Sequence, residues 1–146
     1  MSIITLTTDF GSRDYYVGVI KGAMLCQNPQ LNIVEITHNI NNYDIVQAAF
    51  VLKNAYFSFP KGTIHLVSVN NYYSKHKRFI AIEQDGYYFI GPDNGVFSLM
   101  FDEIPKVIFE LDYLANSNFP IKEVFANSVA HIVNGLPFQK IGTPLK

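Results

Sequence analysis

The sequence lacks several features that would restrict its function at once. Its one cysteine, Cys26, excludes an internal disulfide and a cysteine-based metal cluster. Its first residues do not predict a signal peptide, and no apolar run approaches the roughly 18 residues of a membrane span. Lysine and arginine total 11 against 12 acidic residues, so the net charge of −1 gives no electrostatic basis for binding nucleic acid or an anionic membrane. We therefore predict a reduced, cytoplasmic protein with no metal site.

Two phosphate-binding motifs are also missing. No Gly-x-Gly-x-x-Gly pattern follows the first apolar run, and no Walker-type loop occurs anywhere in the chain. A phosphate site for a dinucleotide or a nucleoside triphosphate is therefore not expected, and no cofactor is predicted.

The 146 residues that are present predict one globular α/β domain. Apolar runs predict strands at residues 3–8, 32–37, 63–69, 78–84, 87–91 and 106–110, and helices at residues 14–26, 44–56, 95–101 and 122–134. Strands that alternate with helices favour a mostly parallel sheet covered on both faces. Asp85 and Gly86 add one antiparallel hairpin. The predicted fold is thus a three-layer α/β/α, Rossmann-like domain.

Local signals support the first two helices. Asp14 predicts an acidic start to the first, and Gly18 and Gly22, four residues apart, indicate that this helix lies close to the sheet. Asp44 and Gln47 have the spacing of a capping box at the start of the second helix.

The most informative segment is TTDFG at residues 7–11, where the first strand ends. In open α/β sheets, ligands bind beyond the carboxyl ends of the strands. Asp9 is therefore predicted to face a ligand, and a carboxylate there suits a vicinal diol such as a ribose. The alternative is that Asp9 only closes a turn and Asp14 only caps a helix; we favour that alternative for Asp14 alone.

Two further segments are candidates for the site, and the first of them ends at the same predicted edge. His38 and Tyr43 follow the second strand, and His38 is expected to support a neighbouring group rather than to react itself. Residues 91–95, GPDNG, form a turn whose glycines permit close approach of a ligand to the backbone. By itself this turn is a weak signal.

Four segments in order carry a resemblance over essentially the whole chain. They are TDFGSRDYYVGVIKG at residues 8–22, ITHNINNYDIVQAA at residues 36–49, FPKGTIH at residues 59–65, and GPDNG at residues 91–95. Together they closely resemble the S-adenosyl-L-methionine (SAM) hydroxide adenosyltransferases, a family that also contains fluorinating and chlorinating enzymes.

The resemblance implies a function and a set of ligand contacts. The family reaction is attack on the adenosyl C5′ of SAM, which releases methionine, so SAM is a substrate rather than a cofactor. Asp9 matches the carboxylate that grips the ribose hydroxyls, with Phe10 beside it. Asp14 matches a second polar contact, Tyr43 an aromatic residue that lines the ribose pocket, and Asn94 a residue near the site.

The resemblance also implies an assembly. Family members have an N-terminal α/β domain and a smaller C-terminal β-barrel, and they form trimers with SAM bound between subunits. Residues 1–146 match the N-terminal domain alone, so the β-barrel is expected to be absent from this chain and the full-length protein to be a homotrimer.

The water-activating part of the family's site is altered here. The Asp, Arg and His of the water-using members fall at Asn70, Lys77 and Pro120. Asn70 still orients a water but holds no counter-charge, Lys77 lacks the guanidinium fork, and Pro120 has no side-chain donor or acceptor. Tyr73 and Ile121 occupy the positions of the halide pocket and supply no comparable pocket.

Three functions follow from this comparison of residues. The first is SAM hydrolysis to adenosine and L-methionine by an altered water-activating site, with Asn70 and Lys77 as the substituted catalytic positions. The second is a non-catalytic binder of SAM or adenosine. The third is a structural oligomerisation domain, because nine tyrosines and 12 phenylalanines leave aromatic surface for an interface.

Overall fold

The computed structural model describes residues 2–11, 14–69, 78–113 and 119–145, which form seven strands and four α-helices. In chain order the elements are β1 (Ile3–Thr8), α1 (Tyr16–Gln27), β2 (Asn32–Thr37), α2 (Ile45–Ala55), a 3-10 turn (Tyr56–Ser58), β3 (Ile64–Ser68), β4 (Phe79–Gln84), β5 (Tyr87–Pro92), α3 (Val96–Met100), β6 (Val107–Leu111), α4 (Pro120–Val133), a second 3-10 turn (Phe138–Lys140) and β7 (Thr143–Pro144). Each predicted element is present, and the predicted bounds of β1 and β2 are confirmed.

All seven strands belong to one mixed sheet in the order β2-β1-β3-β5-β4-β6-β7. The first half is parallel: β1 pairs with β2 on one side and with β3 on the other, and β3 pairs with β5. The second half is antiparallel, through the pairs β4–β5, β4–β6 and β6–β7.

The prediction of a mostly parallel sheet is therefore wrong, since three of the six strand pairs are antiparallel. The predicted hairpin is confirmed: Asp85 and Gly86 both have positive φ, 57° and 85°, as a tight β-hairpin turn requires. The error comes from the position of β6 in the sheet. This strand runs parallel to β5, but it lies on the far side of β4 and pairs with β4 in the antiparallel direction. Nothing in the local sequence of β6 specifies this partner.

The core consists of two hydrophobic clusters, to which alternate residues of the strands contribute. In β4, Phe79 and Ala81 join the cluster of α1 and α4, whereas Ile80 and Ile82 join the cluster of α2 and α3. This period of two is the pattern of a strand that is buried on both faces. The alternation explains why these strands are nearly continuous apolar runs.

The helix starts differ in part from the predictions. Asp44 Oδ1 accepts a hydrogen bond from the Gln47 backbone N–H (2.9 Å), which confirms the cap on α2. The Gln47 side chain makes a different contact, in which its Oε1 atom accepts a hydrogen bond from the Asn41 backbone N–H (2.8 Å). Helix α1 starts at Tyr16, two residues after the predicted start at Asp14.

The expected role of the two glycines in α1 is wrong. A Cβ atom added to Gly18 or Gly22 would meet no atom within 4 Å. These glycines therefore do not bring the helix close to the sheet, and we find no packing reason for them.

One histidine is buried within the sheet. His65 lies in β3 with no solvent exposure, its Nδ1 is 2.6 Å from the Thr5 hydroxyl, and its ring stacks on Phe89 at 5.3 Å. Burial lowers the pKa of His65 to about 4, an effect that the Tyr56 backbone partly offsets. His65 is therefore neutral in the folded protein at neutral pH.

We predict that His65 makes the fold sensitive to acid. Between pH 6.5 and about 4 the unfolded chain binds a proton at this position that the folded chain does not, so stability falls as the pH is lowered. The loss attributable to His65 is about 3 kcal/mol, at 1.36 kcal/mol for each unit of pKa difference. Urea unfolding of the wild type and of His65→Gln across this range measures it. The variant should show a shallower pH dependence, and parallel curves would contradict the prediction.

Candidate functional site

The candidate site lies where three parallel strands end side by side. The Asp9 N–H donates to the Ser68 carbonyl (3.2 Å) at the end of β3, and the Gly11 N–H donates to the His38 carbonyl (2.7 Å) just after β2. The chain leaves β1 for β2 on one side and later returns to β3 on the other. This reversal of strand order is the place where open α/β sheets bind ligands.

Asp9 and Tyr43, both predicted ligand contacts, meet at this edge. Asp9 is only 5% exposed, and its Oδ2 accepts a hydrogen bond from the Tyr43 backbone N–H (3.3 Å). Tyr43 has φ of 67°, an uncommon backbone conformation for a residue other than glycine, and its side chain is half exposed. The fold thus brings together two residues that are 34 positions apart in the chain.

Phe10 connects the end of β1 to two helices. Its ring lies 5.6 Å from that of Tyr16, at the start of α1, and 6.1 Å from that of Phe119, just before α4. The rings of Tyr16 and Phe119 are themselves 5.6 Å apart. These three aromatic residues form a half-buried wall beside Asp9.

The predicted contact residue Asp14 is exposed, and its Oδ1 accepts a hydrogen bond from the Tyr15 N–H (2.7 Å). This contact is local to the start of α1, and a role toward a ligand stays a prediction. Pro120 is the first residue of α4, where a proline stabilises the helix. The substituted positions Asn70 and Lys77, and Tyr73 of the halide comparison, lie outside the described residues.

Asn94 connects two elements of the site. Its Nδ2 donates to the Val69 carbonyl (2.7 Å), and its Oδ1 accepts from the Val96 N–H (3.2 Å) at the start of α3. Both ends of the amide are therefore used within the fold, and its predicted contact with a ligand stays a prediction.

The turn around Asn94 differs from expectation in one respect. A Cβ atom on Gly91 would lie 2.7 Å from the Val67 carbonyl oxygen, so this glycine permits close approach of strand β3. This role in strand pairing was not expected, and the approach of a ligand to the glycines of the turn stays a prediction.

A cavity of about 280 Å³ lies between α3 and β6. Asp93 and Gly95 of the predicted turn line it, but Asp9 and Tyr43 do not. In the described parts of the chain, no group of three histidine, cysteine or acidic residues is placed to hold a metal ion, and no helix there has both the length and the apolar character to cross a membrane.

Three polar contacts at this edge were not predicted. His38 lies between the Thr8 hydroxyl (2.8 Å to Nδ1) and the Glu35 carboxylate (3.2 Å to Nε2). The Arg78 guanidinium binds the Asp93 carboxylate at 2.6 Å, where β4 begins and β5 ends. The spacing of Glu35, three residues before His38, is a signal for the contact between these two side chains. The sequence gives no signal for the contact of His38 with Thr8, because that contact depends on the pairing of β1 with β2.

We predict that Asn94 contributes to stability through both ends of its amide. Asn94→Asp replaces the donor to Val69 with a carboxylate oxygen, so two acceptors then face each other. The expected cost is about 1–3 kcal/mol in the free energy of unfolding, measured by urea titration. Asn54→Asp is the matched control, because Asn54 Nδ2 also donates to a backbone carbonyl (Phe50, 2.7 Å) but is exposed. Equal losses in the two variants would contradict the prediction.

Comparison with known proteins identifies the family. The sequence profile of the SAM hydroxide adenosyltransferase N-terminal domain matches residues 4–142. The (R)-S-adenosyl-L-methionine hydrolase of Methanocaldococcus jannaschii is 34% identical over 100% of this chain, which covers 59% of that protein. A fluorinase of Nocardia brasiliensis is 24% identical over 98% of the chain and 58% of the fluorinase.

The fold matches solved structures over the same extent. An uncharacterized conserved protein from Thermotoga maritima superposes with a TM-score of 0.85 at 31% identity, covering 99% of this chain and 58% of that one. The chain therefore spans about three fifths of the length of the relatives that it matches. The match of the profile to residues 4–142 shows that the chain belongs to the SAM hydroxide adenosyltransferase family, in the region of that family's N-terminal domain.

Proposed function

We propose that this protein binds SAM at the Asp9 edge and acts in its hydrolysis to adenosine and L-methionine. The observation that carries the proposal is the position of Asp9, a buried carboxylate at the reversal of strand order in a member of this family. The hydrolase name of the relative from M. jannaschii supports the same reaction.

The geometry of Asp9 suits a ribose. A carboxylate accepts hydrogen bonds through both oxygens, and the two hydroxyls of a vicinal diol are donors at matching separation. The Tyr43 backbone contacts Asp9, and its half-exposed ring supports a role as an apolar surface for the sugar. Phe10, which follows Asp9, packs against Phe119, and we propose that these two rings help to keep water from the ligand.

The reaction places modest demands on the protein. A water oxygen forms a bond to C5′ while the C5′–S bond breaks, its electron pair stays on sulfur, and the water loses a proton to the solvent. Because a sulfonium is already a good leaving group, position and desolvation supply most of the catalysis. We propose Asn70 and Lys77 as the residues that orient the attacking water.

A second candidate function is the binding of SAM or adenosine without turnover. Pro120 favours it, because this residue offers no side-chain group for activating water at a position where the family's water-using members carry a histidine. The binding side of the site is the same in both candidates, so they differ only in whether adenosine is released.

Three features of the whole protein are also proposals. The two core clusters on opposite faces of the sheet support a three-layer, Rossmann-like class. Side chains of Tyr43, Val46, Phe50 and Phe57 are more than half exposed and support assembly with other copies, as a homotrimer. The single cysteine is consistent with the cytoplasm.

We predict that Asp9→Asn weakens SAM binding by at least about tenfold, because an amide donor replaces one of the two oxygens that accept from the ribose. Calorimetry measures the binding of SAM and of adenosine, and chromatography measures the adenosine formed from SAM. Asp102→Asn is the control, since Asp102 is 97% exposed and remote from the strand ends that form the site.

The outcomes separate the two candidates. Adenosine formation above the spontaneous rate, lost in Asp9→Asn, supports the hydrolase. Binding of SAM without adenosine formation supports the binder. If the wild type binds neither SAM nor adenosine, both candidates are wrong.

A further inference from the structure

We infer that Glu35 and His38 are positioning residues, which act through Thr8 to fix the turn that carries Asp9. The inference deepens the proposed function and rests on it, because Asp9 is the residue proposed to grip the ligand. Neither Glu35 nor His38 is expected to touch the ligand.

The turn is held by the Thr8 hydroxyl. Thr8 Oγ1 accepts a hydrogen bond from the Phe10 N–H (3.3 Å), so the bond spans Asp9. The same oxygen lies 2.8 Å from His38 Nδ1. Thr8 is 1% exposed and His38 is 8% exposed, so water does not compete for these contacts.

Glu35 determines which nitrogen of His38 carries the proton. The Glu35 Oε1 atom lies 3.2 Å from His38 Nε2, and although the two atoms are not aligned as a hydrogen bond, the negative charge of the carboxylate favours a proton on Nε2. The Nδ1 lone pair is then available, and the Thr8 hydroxyl donates to it while accepting from Phe10. With the proton on Nδ1 instead, the ring donates to Thr8 Oγ1, and the hydroxyl proton must turn toward another acceptor.

Lys21 keeps Glu35 in place and charged. Its ammonium lies 3.1 Å from the same Oε1 atom, and this contact is the main reason that the pKa of Glu35 is lowered. The chain of contacts thus starts on α1, crosses the edge strand β2 and ends at the turn after β1.

A role in packing alone does not account for this arrangement. Backbone hydrogen bonds already join the strand ends, through Gly11 to His38 and Ile40 to Thr8. An apolar side chain at position 38 would fill the same space without the cost of burying an imidazole. What the polar contacts add is a defined direction for the Thr8 hydroxyl.

The test uses variants that remove one contact at a time. Glu35→Ala removes the group that selects the tautomer, and we expect SAM binding to weaken by about tenfold, the effect of one misplaced hydrogen bond. Its melting temperature should stay close to that of the wild type, since the Glu35 side chain is 45% exposed. Asp102→Ala is the matched control for loss of a surface carboxylate paired with a lysine.

Two substitutions of His38 separate its two nitrogens. In His38→Asn the side-chain oxygen takes the place of Nδ1 and still accepts from Thr8, so we expect binding within about threefold of the wild type. His38→Ala leaves the hydroxyl without an acceptor and should lose about tenfold. Equal loss in the two variants would overturn the inference, because a purely structural histidine is not rescued by asparagine.

Nitrogen-15 NMR of the imidazole gives a measurement that is independent of SAM. We expect the Nε2-protonated tautomer in the wild type, a mixture of tautomers in Glu35→Ala, and shifted amide signals for Asp9, Phe10 and Gly11 in that variant. A wild-type ring protonated at Nδ1, or amide signals that do not move, would overturn the inference. If the wild type binds neither SAM nor adenosine, the proposed function fails, while the NMR result still decides whether Glu35 positions the turn.

Discussion

The parallel pairing of β1 with strands on both of its sides is the constraint on which the candidate site depends. Thr5 and Leu6 are in register with His65 and Leu66 on one side, and Leu6 is in register with Glu35 on the other. A strand that is paired on both sides must end beside both neighbours. The residue that follows β1 is therefore surrounded by backbone, and this is why Asp9 is buried although it lies in a turn.

The candidate site consists of a structural framework and a proposed reactive part, and the two are formed by different residues. The framework is made of strand ends and backbone hydrogen bonds, with Asn94 joining β3 to α3. Substitutions within it alter stability. The proposed reactive part consists of Asn70, Lys77 and Pro120, and of these the structure describes only Pro120, the first residue of α4. A proline at that position stabilises the start of the helix.

Much of the fold could be predicted from the sequence, because its signals are local. The strands are apolar runs, and the cap at Asp44 and the hairpin at Asp85 depend on neighbours only a few residues away. The partner of β6 could not be predicted, since its residues fit either direction of pairing equally well.

The candidate site shows the same distinction between signals that are local in the sequence and contacts that exist only in the folded chain. Asp9 was predictable from its place at the end of a strand. The contact of Thr8 with His38 joins residues 30 positions apart and exists only once β1 and β2 are paired. The meeting of Asp9 with the Tyr43 backbone was likewise outside what periodicity can indicate. Gly18 and Gly22 mark the opposite case, in which a local pattern suggested a close approach that the fold does not make.

The pairing of β1 with β3 also has a consequence for the order of events during synthesis. The Thr5–His65 contact spans 60 positions, so the second neighbour of β1 exists only after these residues have been synthesised. Contacts of such long sequence separation are slow to form, because the loop between them must be closed first. On the ribosome, β1 and β2 are able to pair early, whereas the edge around Asp9 is completed only after Ser68 has emerged. The candidate edge is thus encoded among the first residues of the chain but is completed only once β3 has formed.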